Sequence, residues 1–515
     1  MSDSTVDDLV DVIVVGAGSA GCVVARRLVD SGVRVLLIEA GEPDLNPAIH
    51  DPLRFGELWF SAQDWAYATA PQEHAAGRRL HWPRGRVLGG SSSLNAMIYT
   101  RGAAADYDVW AYLGNNGWSW NDVLPVFRGI EDFDAGADEL HGAGGPIPVL
   151  TEYQQDPIHD SLIKAAEEIG VGYNPDYNSG HPDGVSRIQL TIRDGRRHSA
   201  AAGYLAPVLA AANLSVLTGA LARRLLMDGT RCIGVEWVRD GRVESAAAHS
   251  QVVVCAGAIE SPRLLMLSGI GAADHLRAHG IHTVVDLPGV GANLHDHVLA
   301  PVIFGTQVPL GRPSAGLCPA QTHLFWRSRP GLLVPDVQPL HFPVPMYQPG
   351  MQGPPSGFTL QAGIVRPASR GSIRLSGPEP TDDLIIDPAT LQCGADLDAL
   401  VAAATLCREL GSATVLRGEW GAAETYPGPA VRTEAQLREY LRQTVSTYHH
   451  QVGTCKMGVD ADAVVDPTLR VHGVDGLRVA DASIMPSVTT GNTHAPTMLI
   501  GEQAAAFLVH EISGR

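Results

Sequence analysis

The stretch that decides the fold lies near the N-terminus, where LVDVIVV at residues 9–15 runs into GAGSAG at residues 16–21. The first segment is apolar and β-branched, and a helical pattern follows the glycines as far as Asp30. A second apolar run, residues 34–38, ends at Glu39, 23 residues after Gly16. Strand, tight turn, helix and strand in this order predict a βαβ unit with a Gly-x-Gly-x-x-Gly dinucleotide-binding fingerprint.

Each residue of this fingerprint has an expected role. Gly16 permits the turn, Gly18 lets the backbone approach a pyrophosphate, and Gly21 lets helix and strand pack closely. The helix N-terminus supplies free N–H groups and positive potential for the phosphates. Glu39 would accept the ribose hydroxyls, so a 2′-phosphate is disfavoured, while NAD and FAD both remain open. The structural alternative is an ordinary glycine-rich turn in an α/β sheet. The residues expected to contact the nucleotide here are Gly16, Gly18, Ser19, Ala20, Gly21, Glu39 and Ala40.

Composition narrows the class of partner. The 515 residues carry 37 basic and 55 acidic side chains, a formal net charge of −18, which argues against nucleic acid or an anionic membrane as partner. Seven scattered cysteines without a Cys-x-x-Cys motif encode neither a disulfide framework nor a zinc cluster. The acidic start MSDSTVDDLV does not resemble a secretory signal, and no run approaches the ~20 apolar residues of a membrane span. A reduced, cytoplasmic location is therefore expected.

Two further segments carry a family resemblance. Residues 82–108 read WPRGRVLGGSSSLNAMIYTRGAAADYD, and residues 257–271 read GAIESPRLLMLSGIG. Both resemble the signature segments of the glucose-methanol-choline (GMC) flavoenzymes, and further matching blocks extend the resemblance over nearly the whole chain. The loop chemistry agrees, because consecutive glycines followed by hydroxyls and an asparagine let a backbone lie against a flat or anionic ligand.

The resemblance favours FAD over NAD. A histidine that bonds covalently to the flavin in some relatives is replaced here by Leu94, which implies a non-covalent FAD. Further cofactor-binding residues implied by the resemblance are Trp65, Arg86, Gly89, Gly90, Asn95, Ala96, Met97, Ala222, His449, Asp481 and Thr493.

The C-terminal block supplies the predicted chemistry. Family members place a catalytic histidine two positions before Val-Gly-Thr, here His450, and a second histidine or an asparagine in the GNTxxPT block, here His494. Alcohol oxidation by a flavin needs a proton acceptor, and a neutral imidazole is abundant near neutrality. We expect His450 to take the hydroxyl proton and His494 to hydrogen-bond the developing alkoxide, with the two rings titrating as a coupled pair.

Neighbouring residues have simpler expected roles. His449 would make a backbone contact to the flavin or give plain support, and Asp481 would approach the pyrophosphate through its amide. The segment His295-Asp296-His297 is interpreted as a structural turn, so no metal site is expected. Gln451 stands where many relatives have proline, which loosens the restraint on His450.

The predicted fold is α/β, with a Rossmann-like FAD-binding domain formed by residues 1–155, 205–300 and 440–515. Residues 156–204 and 301–439 would form an α+β substrate-binding domain with an antiparallel sheet. Trp59, Phe60, Phe342 and Tyr347 are candidate substrate contacts, although core packing explains each equally well. The predicted function is oxidation of a small alcohol to an aldehyde or ketone, with oxygen, a quinone or another acceptor taking the electrons. The alternative is an FAD-containing hydroxynitrile-lyase-like enzyme without net redox chemistry.

Overall fold

The structure is a computed structural model that describes residues 10–514. Leu9, the predicted start of the first strand, and the acidic N-terminal segment lie outside the described residues. Two sheets with separate hydrophobic cores organise the rest of the chain.

The first sheet has a parallel centre. The strand Val10–Val15 lies between Val35–Ile38 and Arg242–Val254, and Val15 is in register with both Ile38 and Val254. The carboxyl ends of the three strands therefore coincide at one edge, where open α/β sheets bind their ligands. The other strands of this sheet are Leu214–Leu217 and Leu477–Val479, both parallel to their neighbours, and the antiparallel Arg231–Arg239 and Leu221–Asp228.

The turn after the first strand requires glycine at two positions. Gly16 has a φ of +98°, and a Cβ there would lie 2.5 Å from the carbonyl oxygen of Cys255. A Cβ on Gly21 would lie 1.8 Å from the Gly16 oxygen. The helix Ser19–Asp30 can therefore begin directly beneath the strand edge, with its N-terminus towards the ligand side.

The second sheet is antiparallel throughout. Its centre is the pair Val298–Gly305 and Gly357–Ile364, aligned over eight residues from Val298↔Ile364 to Gly305↔Gly357. The remaining strands are Leu340–Phe342, Thr322–Phe325 and Gly184–Arg187 on one side, and Ala423–Tyr426 with Ser446–Thr447 on the other. One parallel-centred sheet flanked by helices and one antiparallel sheet confirm the predicted fold class.

The helices surround both sheets. Across residues 10–514 the α-helices are Ser19–Asp30, Pro47–His50, Ala104–Tyr112, Trp120–Ile130, Pro157–Glu168, Gly257–Leu267, Ala273–Ala278, Gly394–Gly411, Thr414–Trp420, Glu434–Thr444 and His494–Ser513. Within this range no single helix is long and apolar enough to cross a membrane. Two helices together, Gly394–Gly411 and Thr414–Trp420, have the length and composition of a membrane span, but the chain bends by 50° between them.

Apolar runs of the C-terminal half form strands of the second sheet. The run 337–344 contains the strand Leu340–Phe342, and 358–365 corresponds to Gly357–Ile364. The C-terminal helix begins at His494 and ends at Ser513. The predicted domain boundaries stay a prediction, although Ser446–Thr447, assigned from sequence to the FAD-binding domain, pairs with the second sheet.

Candidate active site

A cavity of about 960 Å³ lies between the ligand edge of the first sheet and one face of the second. Gly16 and Glu39 line it from the first sheet, and Leu340 and Gln361 line it from the second. The predicted site residues on its wall are Gly16, Gly18, Ser19, Ala20, Glu39, Ala40, Trp65, Gly90, Asn95, Ala96, Ala222, His449, His450, Asp481, Thr493 and His494.

Four predicted cofactor residues do not line this cavity but support its wall. Gly21 permits the close packing described above, and Gly89 donates its N–H to the Ala17 carbonyl at 2.8 Å. The Arg86 guanidinium lies over the Trp65 ring, 4.8 Å from its centroid. Met97 is fully buried and has a φ of +58°. Gly21 belongs to the helix Ser19–Asp30 and the other three to the loop 86–97, and the sequence motif does not show which side of that loop faces the cavity.

The nucleotide end of the cavity is built from close backbone contacts. A Cβ on Gly90 would lie 2.7 Å from the Gly18 Cα, so the 89–93 loop crosses directly over the fingerprint turn. The helix Ser19–Asp30 has no side-chain cap and no acid in its first turn, which leaves its N-terminal N–H groups available to an anion. The two glycines therefore leave room for a phosphate-bearing ligand.

Glu39 is fixed in place before any ligand binds. Its two carboxylate oxygens accept hydrogen bonds from the N–H groups of Ala17 and Gly41, each at 2.8 Å. Burial raises the pKa of Glu39 to about 7, against the lowering effect of these two bonds. A carboxylate has about four lone-pair sites, so two remain for ribose hydroxyls.

Four contacts hold His450 in place. Its backbone N–H donates to the Asp296 carboxylate at 2.7 Å, and its ring stacks on Tyr448 with 4.9 Å between centroids. Its Nδ1 lies 2.9 Å from the Nδ1 of His297, and its Nε2 lies 3.2 Å from the Nδ2 of Asn492. Burial, reinforced by His297, holds the pKa of His450 well below its ordinary value, so this imidazole is neutral.

The hydrogen-bond network assigns the tautomer of His450. The Oδ1 of Asn492 accepts from the Thr100 hydroxyl and from the Gln338 amide, both at 3.4 Å, so its Nδ2 is the atom that faces Nε2 of His450. Since an amide nitrogen can only donate, Nε2 carries the lone pair, and Nδ1–H donates to His297. Nε2 is therefore the basic atom of the ring.

His494 has a different partner from the one expected. Its Nδ1 lies 3.0 Å from the Ser19 hydroxyl, while its Nε2 is buried without a partner among the described residues. Burial lowers the pKa of His494 to about 4. The imidazole that bonds His450 is His297, so the expected pairing of His450 with His494 is not the one present in the structure.

The comparisons with known proteins identify the family of the chain. Two family models, both described as GMC oxidoreductase, match residues 10–299 and 367–501. The chain belongs to the GMC oxidoreductase family. It is 37% identical to an "alcohol dehydrogenase [acceptor]" of Pseudomonas putida, over 98% of this chain and 96% of the relative. It is 39% identical to human mitochondrial choline dehydrogenase, over 96% and 88% of the two chains. The crystal structure of pyridoxine 4-oxidase from Mesorbium loti superposes with a TM-score of 0.93 at 40% identity, covering 97% and 99% of the two chains.

As a member of this family the protein is an FAD-dependent oxidoreductase, and its cavity fits that cofactor. The cavity volume lies at the upper end of the ~300–1,000 Å³ typical of ligand sites. Gly18, Gly90 and the uncapped N-terminus of the helix Ser19–Asp30 form a site for a pyrophosphate, and the Glu39 carboxylate can accept hydrogen bonds from a ribose. A second helix N-terminus, formed by Thr493 and His494 without a side-chain cap, also reaches the cavity wall. Its positive potential favours negative charge near His450.

The contacts of three further residues of this GMC enzyme can be compared with expectation. The carboxylate of Asp481 accepts from the N–H groups of Gly257 and Ser483, each at 2.8 Å, so the expected contact of its amide with the pyrophosphate stays a prediction. His449 has a φ of +69°, and its carbonyl accepts from the Arg84 guanidinium at 2.6 Å. Gln451 does not loosen His450. Its amide donates to Asp296 at 3.0 Å and to Thr447 at 2.9 Å, which ties the segment to the second sheet.

Sequence reasoning missed the residues that orient His450. Asp296 and His297 belong to the segment interpreted as a structural turn, and Asn492 lies two residues before the predicted His494. The signal was the Asp296-His297 pair, two polar residues directly before the apolar strand Val298–Gly305. The structure shows no cluster of three or more metal-ligating side chains within residues 10–514.

Proposed function

We propose that this enzyme oxidises a small neutral alcohol to an aldehyde or ketone, with FAD held non-covalently. The observation that carries the proposal is the buried His450, neutral and with Nε2 as its basic atom, on the wall of the nucleotide cavity. Leu94, also on this wall, has no atom that could bond to a flavin. The electrons then pass to oxygen or to a quinone or other acceptor.

The chain contributes the proton chemistry and the orientation. Nε2 of His450 accepts the substrate hydroxyl proton when that hydroxyl displaces the Asn492 amide, and Asn492 then donates to the alkoxide. His494, with a free Nε2, supplies a second donor or acceptor. FAD, when bound, would supply the acceptor for the hydride of the carbinol carbon. General-base catalysis of this kind contributes about 10²- to 10⁴-fold in rate.

Anaerobic mixing with a panel of aromatic, aliphatic and sugar alcohols tests the function. We expect at least one alcohol to remove the yellow colour of the flavin, since a redox enzyme must reduce its cofactor. The amount of aldehyde or ketone formed should equal the amount of flavin reduced. Colour that persists with every alcohol would overturn the proposal and leave a non-redox reaction such as that of a hydroxynitrile lyase.

The rate of flavin reduction should be independent of pH across the neutral range. Because burial lowers the pKa of His450, the ring is neutral and basic at neutral pH, and protonation removes the base only in acid. Activity should therefore fall only below the ordinary histidine pKa of about 6.5. The limiting reduction rate at saturating alcohol, measured from pH 5 to pH 9, checks this. An ascending limb centred above pH 7 would contradict it.

Choline should be a poor substrate. The Arg84 guanidinium lines the cavity and bonds the carbonyls of Pro83 and His449, and no carboxylate among the described residues forms an ion pair with it. The acidic side chains of the wall are Glu39 at the nucleotide end, Asp481, which accepts from backbone N–H groups, and Glu260, which is paired with Arg263. A quaternary ammonium group therefore meets positive charge near the base.

The matched neutral alcohol is 3,3-dimethyl-1-butanol, in which carbon replaces the choline nitrogen. We expect its kcat/KM to exceed that of choline by about tenfold or more, as one like-charge contact with Arg84 allows. Equal or reversed values would show that the aromatic side chains of the cavity compensate for Arg84.

A further inference from the structure

Gln361 presents an unused hydrogen-bond acceptor to the cavity. Its side chain lies on the wall, and the residue is only 6% exposed. Its Nε2 lies 3.4 Å from the thioether sulfur of Met346, while its Oε1 is buried without a partner among the described residues. A thioether accepts but cannot donate, so the amide is oriented with Oε1 free. A buried acceptor left without a donor is costly, and a ligand that supplies one removes the cost.

The strand places Gln361 two residues from Gly363, which packs against the neighbour of the base. Gln361 and Gly363 are alternate residues of Gly357–Ile364 and therefore share a face. A Cβ on Gly363 would lie 2.5 Å from the Tyr448 ring, which stacks on His450. Two residues of a strand span about 7 Å. Gln361 is therefore one strand repeat, about 7 Å, from the residue that packs against Tyr448.

The register of the second sheet surrounds this amide with apolar groups. Leu340 stands opposite Gln361, and Leu299 stands opposite Gly363, both on the cavity side. Phe342 and Met346 line the same region. The Met346 N–H donates to the Thr359 hydroxyl at 2.8 Å, which fixes the Met346 segment against the strand. The amide acceptor is therefore set in an apolar wall.

We propose that Gln361 determines substrate specificity by accepting a hydrogen bond from a hydroxyl or N–H group at the end of the substrate remote from the carbinol. The substrate class is a neutral alcohol with a flat apolar body and a second donor about 7 Å from the reacting hydroxyl. This inference rests on the proposed function and deepens it. Discrimination follows because a site built to bond a hydroxyl rejects the analogue without one more strongly than it rejects a change of shape.

Two alcohols of nearly equal shape test the inference: 1,4-benzenedimethanol and 4-ethylbenzyl alcohol, which differ by one hydroxyl in place of one methyl. The second-order rate of anaerobic flavin reduction is measured for each. The wild-type enzyme should favour the diol by about 20-fold or more, of which a factor of about two comes from its two equivalent carbinols. In Gln361→Met the preference should fall to about twofold, while 4-ethylbenzyl alcohol still reduces the flavin.

Gln348→Leu is the matched control. Gln348 is a second glutamine of the same cavity wall, but its amide already donates to the Thr444 carbonyl at 2.7 Å. This variant should keep the preference for the diol. If Gln361→Met loses its FAD, Gln361→Leu serves in its place, with the flavin spectrum as the measure of an intact site.

The possible results separate the two levels of the proposal. Equal wild-type rates for the two alcohols, or a preference that survives in Gln361→Met, would overturn the role of Gln361 and leave alcohol oxidation intact. Failure of both aromatic alcohols, with reduction by other members of the panel, would also overturn it. Persistent colour with every alcohol would overturn the proposed function itself, and the inference with it.

Discussion

Replacement of His450 by alanine should slow the reduction of the bound flavin by about 10²- to 10⁴-fold, the usual contribution of a general base. The reason is that Nε2 carries the lone pair of the His450 ring. The hydrogen bonds of this ring to Asn492 and His297 keep that lone pair available at the cavity. Stopped-flow mixing of the anaerobic variant with a substrate identified in the alcohol panel gives the rate. FAD should stay bound, since the fingerprint turn and Glu39 lie at the other end of the cavity.

A matched control is His282→Ala, which removes an exposed histidine outside the cavity wall. This variant should reduce its flavin at the wild-type rate. An unchanged rate in His450→Ala would refute the assignment of the base. Loss of colour on purification of His450→Ala would instead show that this residue holds the cofactor.

The nucleotide end of the site could be predicted because its signals are local. Residues 10–39 form strand, turn, helix and strand within one short stretch, and Gly16 and Gly21 are required by close backbone contacts that the fingerprint already implies. Glu39 follows from its position after the second strand. The choice of FAD over NAD needed the family signature, because both cofactors contain the same phosphate and ribose groups.

The surroundings of His450 could not be predicted in the same way. Asp296 and His297 are more than 150 residues away in sequence, and they reach His450 only because Val298–Gly305 pairs with Ser446–Thr447. A tautomer depends on such tertiary contacts and leaves no trace in a local pattern. The prediction for Gln451 was wrong for the same reason. The absence of proline predicted a looser backbone, but the Gln451 side-chain amide restrains this segment through its hydrogen bonds to Asp296 and Thr447.

Replacement of His297 by phenylalanine should lower the rate of flavin reduction by about 10- to 100-fold, the cost of leaving one buried donor unsatisfied. The phenyl ring keeps approximately the shape of the imidazole but cannot accept the Nδ1–H of His450. The proton of His450 is then no longer confined to Nδ1, and the tautomer with a protonated, non-basic Nε2 becomes populated. Burial lowers the pKa of His297 itself to about 3, so this residue acts as a neutral acceptor.

A purely structural role for His297 predicts a different pattern. If His297 only fills space, His297→Phe should react as fast as the wild type, and His297→Asn should be the more damaged variant because its side chain is smaller. If His297 positions the proton, His297→Asn should recover part of the lost rate, since its amide oxygen can accept from Nδ1 of His450. Reduction rates for the two variants, each with its FAD content measured from the absorbance spectrum, decide between these roles. A His297→Phe enzyme with full FAD and an undiminished rate would mean that Asn492 and Asp296 fix His450 without help from His297.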